Sequence, residues 1–371
     1  MSGPLEGLLV ADFSRVLAGP YATMLLGDLG ATVVKVERPE TGDDTRSWSP
    51  PVDEHGDATY FLSVNRNKYS VAWDLDDVDD RTRALRLAER ADILIENFPA
   101  GALGRRGLGY DDVAALNPNV IYCTISGFGA DADLPGYDLL VQAMGGLMDI
   151  TGDDQATKVG VAIVDVVTGL HASTAILAAL HHRDRTGEGQ HLEVTLLGSL
   201  LSALVNQSGA AAITGESPHR MGNAHPSITP YEPYPTADRP LVIAVGNDAQ
   251  FARLCQVLDH PEWSLDVRFR TNAARVQHRE LLRTLLIDVL LTRRAEEWQS
   301  LLAVQRIPCG PVNTVGQALK LAEQLGLTPI VDIDGGAQIS HPVTYSRTPP
   351  SYRSAPPRLD EHRAFVEGLL A

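Results

Sequence analysis

Short apolar runs alternate with helical patterns along the first third of the chain. Strand-like runs stand at GLLVADFS, ATVVKVER, YSVAWDL, DILIENF and VIYCTISGFG, and amphipathic helical segments separate several of them. The first helical segment, GPYATMLLGDLG, has Pro20 in its first turn and Gly30 at its end. This alternation predicts an α/β fold, a Rossmann-like doubly wound domain with a mostly parallel sheet and helices on both faces.

The loops at the carboxyl ends of these strands are the expected ligand site of such a domain. In this chain they are residues 14–19, 38–41, 97–99 and 126–129.

The second half of the chain differs from the first in composition and in hydrophobic pattern. Residues 205–240 are rich in proline and glycine and predict a linker. A strand, LVIAVG, and three helical segments follow, which predict a smaller α+β domain. We therefore divide the chain into a large domain at 1–204, a linker and small domain at 205–329, and a C-terminal segment at 330–371. We assign that last segment, with short strands and a final helix, to the large domain, although periodicity alone does not decide it.

The charge balance excludes several classes of partner. The chain carries 47 acidic and 31 basic residues, a formal charge of -16, which repels nucleic acid. Its three cysteines lack the spacing of zinc sites or disulfide frameworks. The N-terminus has no basic leader, and Asp165 and several polar residues interrupt the longest apolar stretch, 161–180. We expect a cytoplasmic protein that binds neither nucleic acid nor a membrane and needs no metal.

Asp165 stands alone in the apolar segment GVAIVDVV, and two interpretations are open. Helical periodicity starts directly after it, so the carboxylate is expected to cap the helix by accepting its first free N–H groups. The same N–H groups and the helix dipole would hold it ionised, as a candidate nucleophile toward an acyl carbon. Composition does not choose between these interpretations.

The segment that begins with Asp165-x-x-x-Gly169 closely resembles the nucleophile segment of type III CoA-transferases, also called the CaiB/BaiF family. The likeness recurs at ADFSRVLAGPYATMLLGDLGATVVKVERPETGDDTR, ILIENFPAGALGRRGLGYDDVAALNPNVIYCTISGFG, PGYDLLVQAMGG and RMGNAHPSITPYEPY, and reaches LDEH near the C-terminus. It therefore covers nearly the whole chain. Relatives in this family include formyl-CoA transferase, carnitine CoA-transferase and α-methylacyl-CoA racemase.

The resemblance implies a CoA-transferase that moves CoA from an acyl-CoA thioester to a small carboxylic acid. Asp165 would form a mixed anhydride and then an aspartyl-CoA thioester, with coenzyme A as substrate and no permanently bound cofactor. It also implies an interlocked homodimer. The CoA-binding positions implied by the resemblance are Val16, Arg38, Trp73, Asn97, Phe98, Arg105 and Tyr137.

Two departures bear on the reaction. Leu17 stands where formyl-CoA transferases have a glutamine, and the glycine-rich loop of those enzymes is missing, so formate or oxalate is a doubtful substrate. Tyr137 stands where the racemase has its histidine base, which favours transfer over racemisation.

Three alternatives remain open. One is an acyl-CoA racemase or epimerase of the same fold, and another is a catalytically inactive CoA-binding protein. The third, a nicotinamide-dependent oxidoreductase, is disfavoured because the turn SRVLAGPY has one glycine where the dinucleotide fingerprint has three. The sequence does not identify the donor acyl group or the acceptor acid.

Overall fold

A computed structural model describes residues 3–129, 131–132 and 134–371. Contacts between residues divide the chain into two compact units. The first unit comprises Met1–Leu147, Lys158–Pro218 and Thr328–Ala371, and the second comprises Met148–Thr157 and His219–Leu327.

A parallel sheet forms the centre of the first unit. In the described part of the chain, six strands form it in the order β3-β2-β1-β4-β5-β6, with every neighbouring pair parallel. The strands are β1 (Leu9–Asp12), β2 (Thr32–Glu37), β3 (Lys68–Ala72), β4 (Ile93–Glu96), β5 (Ile121–Ser126) and β6 (Gln190–Thr195). The predicted parallel α/β sheet is therefore confirmed, and β6 is a strand that the sequence analysis did not predict.

Helices cover both faces of this sheet. Those of the first unit are α1 (Ala18–Asp28), α2 (Thr59–Leu62), α3 (Val78–Arg90), α4 (Tyr110–Leu116), α5 (Asp138–Met144), α7 (Ile163–Thr186), α8 (Leu196–Ala203), α9 (Asn206–Thr214) and α15 (Arg363–Leu370), while α6 (Leu147–Ile150) stands at the boundary between the units. Successive strand residues point to opposite faces, so Val10 packs in the core with α1 and α7, whereas Ala11 packs in the core with α3 and α15.

Helix α7 is the long helix of the first core. Its 24 residues have the length and hydropathy of a membrane-spanning helix, contrary to the expectation from the sequence, and the bent pair α8–α9 passes the same test. Length and composition are the only grounds for this match, and 44% of the most apolar window of α7 is buried inside the protein. Since Ala172 and Ile176 are fully buried against the sheet, we interpret α7 as a core helix.

An antiparallel sheet and several helices form the second unit. Among its described residues, β7 (Tyr231–Tyr234), β8 (Leu241–Ala244) and β9 (Cys309–Pro311) pair in that order. Its helices are α10 (Asp248–Val257), α11 (Asn272–Gln277), α12 (Arg279–Leu290), α13 (Ala295–Val304) and α14 (Val315–Gln324). Their core includes Ile243, Phe251, Leu286 and Trp298.

The segment predicted as a linker is only partly irregular. Residues 205–240 contain α9 and β7, and the irregular stretch between these two elements includes Pro218, Pro226 and Pro230. Residues 148–157, which the sequence analysis leaves in the large domain, cluster with the second unit. The division at 1–204, 205–329 and 330–371 stays a prediction of domain organisation.

The C-terminal segment contains the predicted short strands and last helix. β10 (Ile330–Ile333) and β11 (Gly336–Ile339) form a hairpin, and α15 ends the chain. The segment also covers the edge of β3. The Ser70 N–H donates to His362 Nδ1 at 3.3 Å, and the Ala72 N–H donates to the Asp360 carboxylate at 2.8 Å. Side chains thus take the hydrogen bonds that a further strand would make.

Candidate active site

A cavity of about 1070 Å³ opens at the carboxyl end of the parallel sheet in the first unit. Loops after β1, β4 and β5 and the start of α7 supply much of its wall. Three of the four strand-end loops proposed from the sequence, 14–19, 97–99 and 126–129, contribute residues to it. Parallel strands bring their carboxyl ends to one edge, which is why loops distant in sequence meet here.

Asp165 lies in the wall of this cavity, in the first turn of α7. The helix begins at Ile163, two residues before the carboxylate, and Ala162 is the residue at its N-cap. The interpretation of Asp165 as the N-cap is therefore wrong. The helix therefore starts earlier than the sequence pattern indicates.

The cap of α7 comes instead from Asp138, at the start of α5. Its Oδ1 accepts hydrogen bonds from the backbone N–H of Val164 at 2.8 Å and from that of Asp165 at 3.3 Å. Its Oδ2 accepts from Gln142 Nε2 at 2.6 Å, and Gln142 Oε1 accepts from the Val159 N–H at 2.9 Å. Asp138 thus holds the residues that lead into the helix and places a second carboxylate beside Asp165.

The electrostatics of Asp165 also differ from the expectation of an ionised carboxylate. The side chain is 9% exposed. Burial, and then the nearby Asp138 charge, raises the pKa of Asp165 to about 7. Because Asp138 accepts the N–H groups of the first helical turn, those donors are not available to stabilise the negative charge on Asp165.

Gly169 explains how α7 comes so close to α1. A Cβ atom at this position would lie 2.6 Å from the Ala18 carbonyl oxygen and 3.2 Å from the Tyr21 ring. Only glycine allows the two helices this approach without a shift of the backbone. The spacing Asp165-x-x-x-Gly169 therefore has a packing reason, since Gly169 lets the first turns of α7 pack against the start of α1.

Two aromatic side chains of the cavity were not found by the sequence reasoning. The rings of Trp48 and Tyr60 meet edge to face with centroids 5.3 Å apart. Burial, followed by the charges of Asp165 and Asp138, raises the pKa of Tyr60 to about 12. Tyr60 therefore lies within electrostatic reach of both carboxylates, and its hydroxyl stays protonated at neutral pH.

The residues implied by the resemblance fall into two groups. Val16, Asn97, Phe98, Tyr137 and Asp165 line the cavity together.

Arg38, Trp73 and Arg105 are not among the described residues that line it. Arg38 is half exposed and forms an ion pair with Asp44, and Arg105 is exposed one residue after the lining residue Gly104. Trp73 is 1% exposed in the core shared with α3, so its ring presents almost no surface to a ligand.

The side chain of Asn97 forms hydrogen bonds with the protein backbone. Its amide oxygen accepts from the Arg15 N–H at 2.9 Å, and its amide nitrogen donates to the Arg15 carbonyl at 2.8 Å. The Arg15 guanidinium lies over the Phe98 ring, 5.1 Å from the centroid. Asn97 therefore fixes the turn after β1, and Arg15 is a cation of the cavity wall that the sequence reasoning missed.

A second group of polar side chains lies in the same wall, contributed by β4, β5 and β6. Glu96 is 6% exposed, and its carboxylate accepts from the Phe98 N–H at 2.7 Å. Burial raises the pKa of Glu96 to about 7. Thr124 lies opposite Glu96 in the sheet register, and its hydroxyl is 2.9 Å from His191 Nε2. The strand register places Glu96 opposite Thr124, and the His191 ring reaches Thr124 from the position opposite Tyr122.

Sequence relatives of this chain are CoA-transferases. The profile of CoA-transferase family III matches residues 5–363. The chain is 42% identical to the succinate–glutarate CoA-transferase of Agrobacterium fabrum, over 98% of this chain and 94% of the relative. It is 43% identical to the succinyl-CoA:glutarate CoA-transferase of Mus musculus, over 98% of this chain and 85% of the relative. It is 37% identical to the acetyl-CoA:oxalate CoA-transferase of Acetobacter aceti, over 100% and 96%.

A solved structure agrees with these relatives. The crystal structure of a CAIB/BAIF family protein from Brucella suis is 40% identical, superimposes with a TM-score of 0.90 and covers 100% of both chains. The family model spans nearly the entire chain, and the fold matches throughout. The chain is therefore an enzyme of CoA-transferase family III.

Proposed function

We propose that Asp165 is the nucleophile that carries CoA from an acyl thioester to a free carboxylic acid. The observation that supports this most is the position of its carboxylate, in the wall of the cavity and only 9% exposed. Such a carboxylate is poorly hydrated, so its ionised form is a strong nucleophile toward an acyl carbon.

The reaction proceeds by exchange of acyl bonds. Asp165 attacks the donor thioester, and the C–S bond breaks to give a mixed anhydride and CoA thiolate. The thiolate attacks the Asp165 carbonyl carbon of the anhydride, which releases the donor acid and leaves an aspartyl-CoA thioester. The acceptor carboxylate attacks this thioester to form a second anhydride and thiolate. Attack of the thiolate on the acceptor's carbonyl then gives the new acyl-CoA and frees Asp165.

Asp138 and burial set the protonation of the nucleophile. With the pKa of Asp165 at about 7, the carboxylate is half ionised at neutral pH and fully ionised about one to two pH units higher. A carboxylate of raised pKa is also the more reactive one once it is ionised. We therefore assign Asp138 a positioning role, because it holds the first turn of α7 and raises the basicity of Asp165.

For coenzyme A, we propose contacts with Val16, Phe98 and Tyr137 in the cavity. The phosphates would meet Arg38 and Arg105, whose exposed guanidinium groups match phosphate geometry. Asn97 would shape the site by holding Arg15. For Trp73, which is 1% exposed, we propose support of the sheet edge rather than direct contact.

The acids are proposed to be short dicarboxylic acids. Relatives of this chain are named for succinate, glutarate and mesaconate as well as oxalate. A dicarboxylate keeps one free carboxylate while the other reacts, and that charge needs a cation. Among the described residues of the cavity wall, Arg15 and Lys158 carry positive charge. We propose that one of them binds the free carboxylate.

The test is covalent trapping at Asp165. Wild type, Asp165→Ala and the control Asp184→Ala are incubated with succinyl-, glutaryl-, acetyl- and propionyl-CoA, with and without hydroxylamine. Asp184 is an exposed carboxylate at the opposite end of the same helix. We expect a hydroxamate at Asp165 with a dicarboxylic donor in wild type and in Asp184→Ala, and none in Asp165→Ala, as mapped by peptide mass spectrometry.

Acceptor acids are then ranked by the rate of exchange into the labelled enzyme, with oxalate included because one relative is named for it. Absence of a label with every donor, while coenzyme A still binds, contradicts the proposed transfer. Exchange of the α-proton of a branched acyl-CoA in deuterated water would then support the racemase. No exchange would support an inactive CoA-binding protein.

Self-association is proposed as well. Every residue of α14 is exposed or half-buried, and its apolar residues include Val315 at 80% and Leu321 at 43% exposure. In the first unit, Ile213 of α9 is 87% exposed. Exposed apolar surface of this kind favours the interlocked homodimer implied by the family. Light scattering coupled to size-exclusion chromatography tests it, and a monomer at micromolar concentration would contradict it. The cytoplasmic location stays a prediction.

A further inference from the structure

The turn after β1 brings Val16 into the cavity in a conformation that valine avoids. Its φ is 70°, in the left-handed region, where a β-branched side chain collides with its own backbone. Val16 nevertheless lines the cavity directly before Leu17, the N-cap residue of α1. A residue in this region persists only where its surroundings hold it.

Side chains hold the backbone of this turn at consecutive polar groups. The Ser14 N–H donates to Asp12 Oδ1 at 3.0 Å, and the Ser14 carbonyl accepts from Lys35 Nζ at 2.9 Å. The N–H and carbonyl of Arg15 pair with the Asn97 side chain. The Val16 N–H donates to the Asp43 carboxylate at 3.2 Å. Secondary structure normally satisfies such groups, whereas here the buried side chains of Asp12, Lys35 and Asp43 and the half-buried Asn97 do so. The shape of the turn is therefore imposed from outside it.

Lys35 and Asp43 are the charged members of this arrangement that come from outside the turn and its strand. Their side chains are completely buried, and Lys35 Nζ lies 2.9 Å from Asp43 Oδ2. Lys35 is central in β2, and its ammonium bonds both the turn and Asp43. Asp43 accepts further hydrogen bonds from the N–H and hydroxyl of Thr45. Neither is among the described residues that line the cavity.

We propose that the buried Lys35–Asp43 pair is a positioning device that keeps Val16 in its left-handed conformation and so shapes the CoA-binding surface. Replacing a buried ion pair by apolar residues is often neutral for stability, so stability alone does not account for this one. This inference rests on the proposed function, since coenzyme A is the ligand whose binding the ion pair would affect. Its effect passes through the conformation of Val16.

The test is a double-mutant cycle in the full-length enzyme. Asp43→Asn removes the charge and leaves one oxygen to serve the donors of Val16, Lys35 and Thr45, so it weakens the restraint on the turn. This change is made in the valine background and in Val16→Gly, and the Kd of coenzyme A is measured by calorimetry. Glycine adopts positive φ freely and does not need the restraint. We expect Asp43→Asn to raise the Kd about tenfold with Val16 and less than about threefold with glycine. The KM for acyl-CoA should rise in parallel, while the KM for the free acid changes less than about twofold.

A matched control separates positioning from general damage. Arg66 and Asp28 form another buried ion pair of the first unit, with Arg66 Nη2 2.6 Å from Asp28 Oδ2. Arg66 also donates to the Ile339 carbonyl of the C-terminal segment, so this pair holds that segment rather than the turn. We expect Asp28→Asn to lower the melting temperature and leave the Kd of coenzyme A within about twofold. If Asp43→Asn does not fold, Lys35→Met/Asp43→Asn removes the uncompensated charge and takes its place in the cycle.

The outcomes are distinct. Equal losses of affinity in the valine and glycine backgrounds, or the same loss in Asp28→Asn, would overturn the positioning role. A wild-type enzyme that fails to bind coenzyme A would refute the proposed function instead.

Discussion

Replacing Asp138 by asparagine is the sharpest test of how the site sets the protonation of Asp165. Asparagine keeps an oxygen that can accept the Val164 N–H, and it removes the negative charge. The cap of α7 is retained while the electrostatic effect is lost. The pKa of Asp165 should therefore fall.

The size of the change follows from the causes of the raised pKa. The pKa of Asp165 rises from 3.8 to about 7. That is roughly three pKa units, or about 4 kcal/mol between the two protonation states. Burial is the larger cause and Asp138 the smaller. Asp138 therefore accounts for at most about 2 kcal/mol, and we expect the pH profile to move by about one pH unit.

The assay is the pH dependence of kcat/KM for an acyl-CoA between about pH 5 and 9. Wild type should rise to a plateau with a midpoint near pH 7, because the ionised carboxylate is the nucleophile. Asp138→Asn should show its midpoint about one pH unit lower and a lower plateau, since a less basic carboxylate is a weaker nucleophile. Asp131→Asn, which removes a different carboxylate of the cavity wall, should leave the midpoint unchanged. A midpoint in Asp138→Asn that stays at the wild-type value, or moves higher, would refute the reasoning.

Two further predictions concern stability. A carboxyl group whose pKa is raised in the folded state stabilises the fold below its unfolded pKa of 3.8, and this stability is lost as the pH rises through about 7. Asp165→Asn should therefore raise the free energy of unfolding at pH 8 by about 1–3 kcal/mol, seen as a higher melting temperature, and leave both unchanged at about pH 4. A variant whose melting temperature equals that of wild type at both pH values would contradict this. Gly169→Ala should destabilise the enzyme by roughly 1–3 kcal/mol, because its Cβ would lie 2.6 Å from the Ala18 carbonyl oxygen. Gly209→Ala in α9 is the control, because a Cβ atom at Gly209 would have no other atom within 4 Å. Equal free energies of unfolding in urea for the two variants would contradict a close contact of Gly169 with α1.

The parallel sheet was predictable because its inner strands are buried on both faces and read as continuous apolar runs. β6, with the sequence QHLEVT, was missed although its polar and apolar residues alternate, which is the pattern of a half-buried edge strand. β7 lies inside a proline-rich segment and contains Pro233 itself. A three-residue strand such as β9 is shorter than any periodic signal.

The site was only partly predictable. Asp165 was found by its isolation in an apolar segment and by resemblance, whereas its partner Asp138 is separated from it by 27 residues in sequence. The long-range contact depends on how α5 and α7 pack, which no local pattern encodes. Lys35 did carry a signal, since a lysine between valines in the strand VVKVE is unusual at a position buried on both faces. Such a charge predicts a buried partner, and the structure identifies it as Asp43.

The covering of β3 by the C-terminal segment has a consequence for biosynthesis. His362 and Asp360 accept hydrogen bonds from the N–H groups of Ser70 and Ala72, which lie 292 and 288 residues earlier in the chain. Until residues 360–362 emerge from the ribosome, the edge of β3 exposes unpaired N–H groups that can template pairing with another nascent chain. A nascent chain that stalls shortly before residue 360 would therefore contain all six strands of the sheet and an unpaired edge at β3. Protection of this edge therefore depends on residues that are synthesised long after β3 itself.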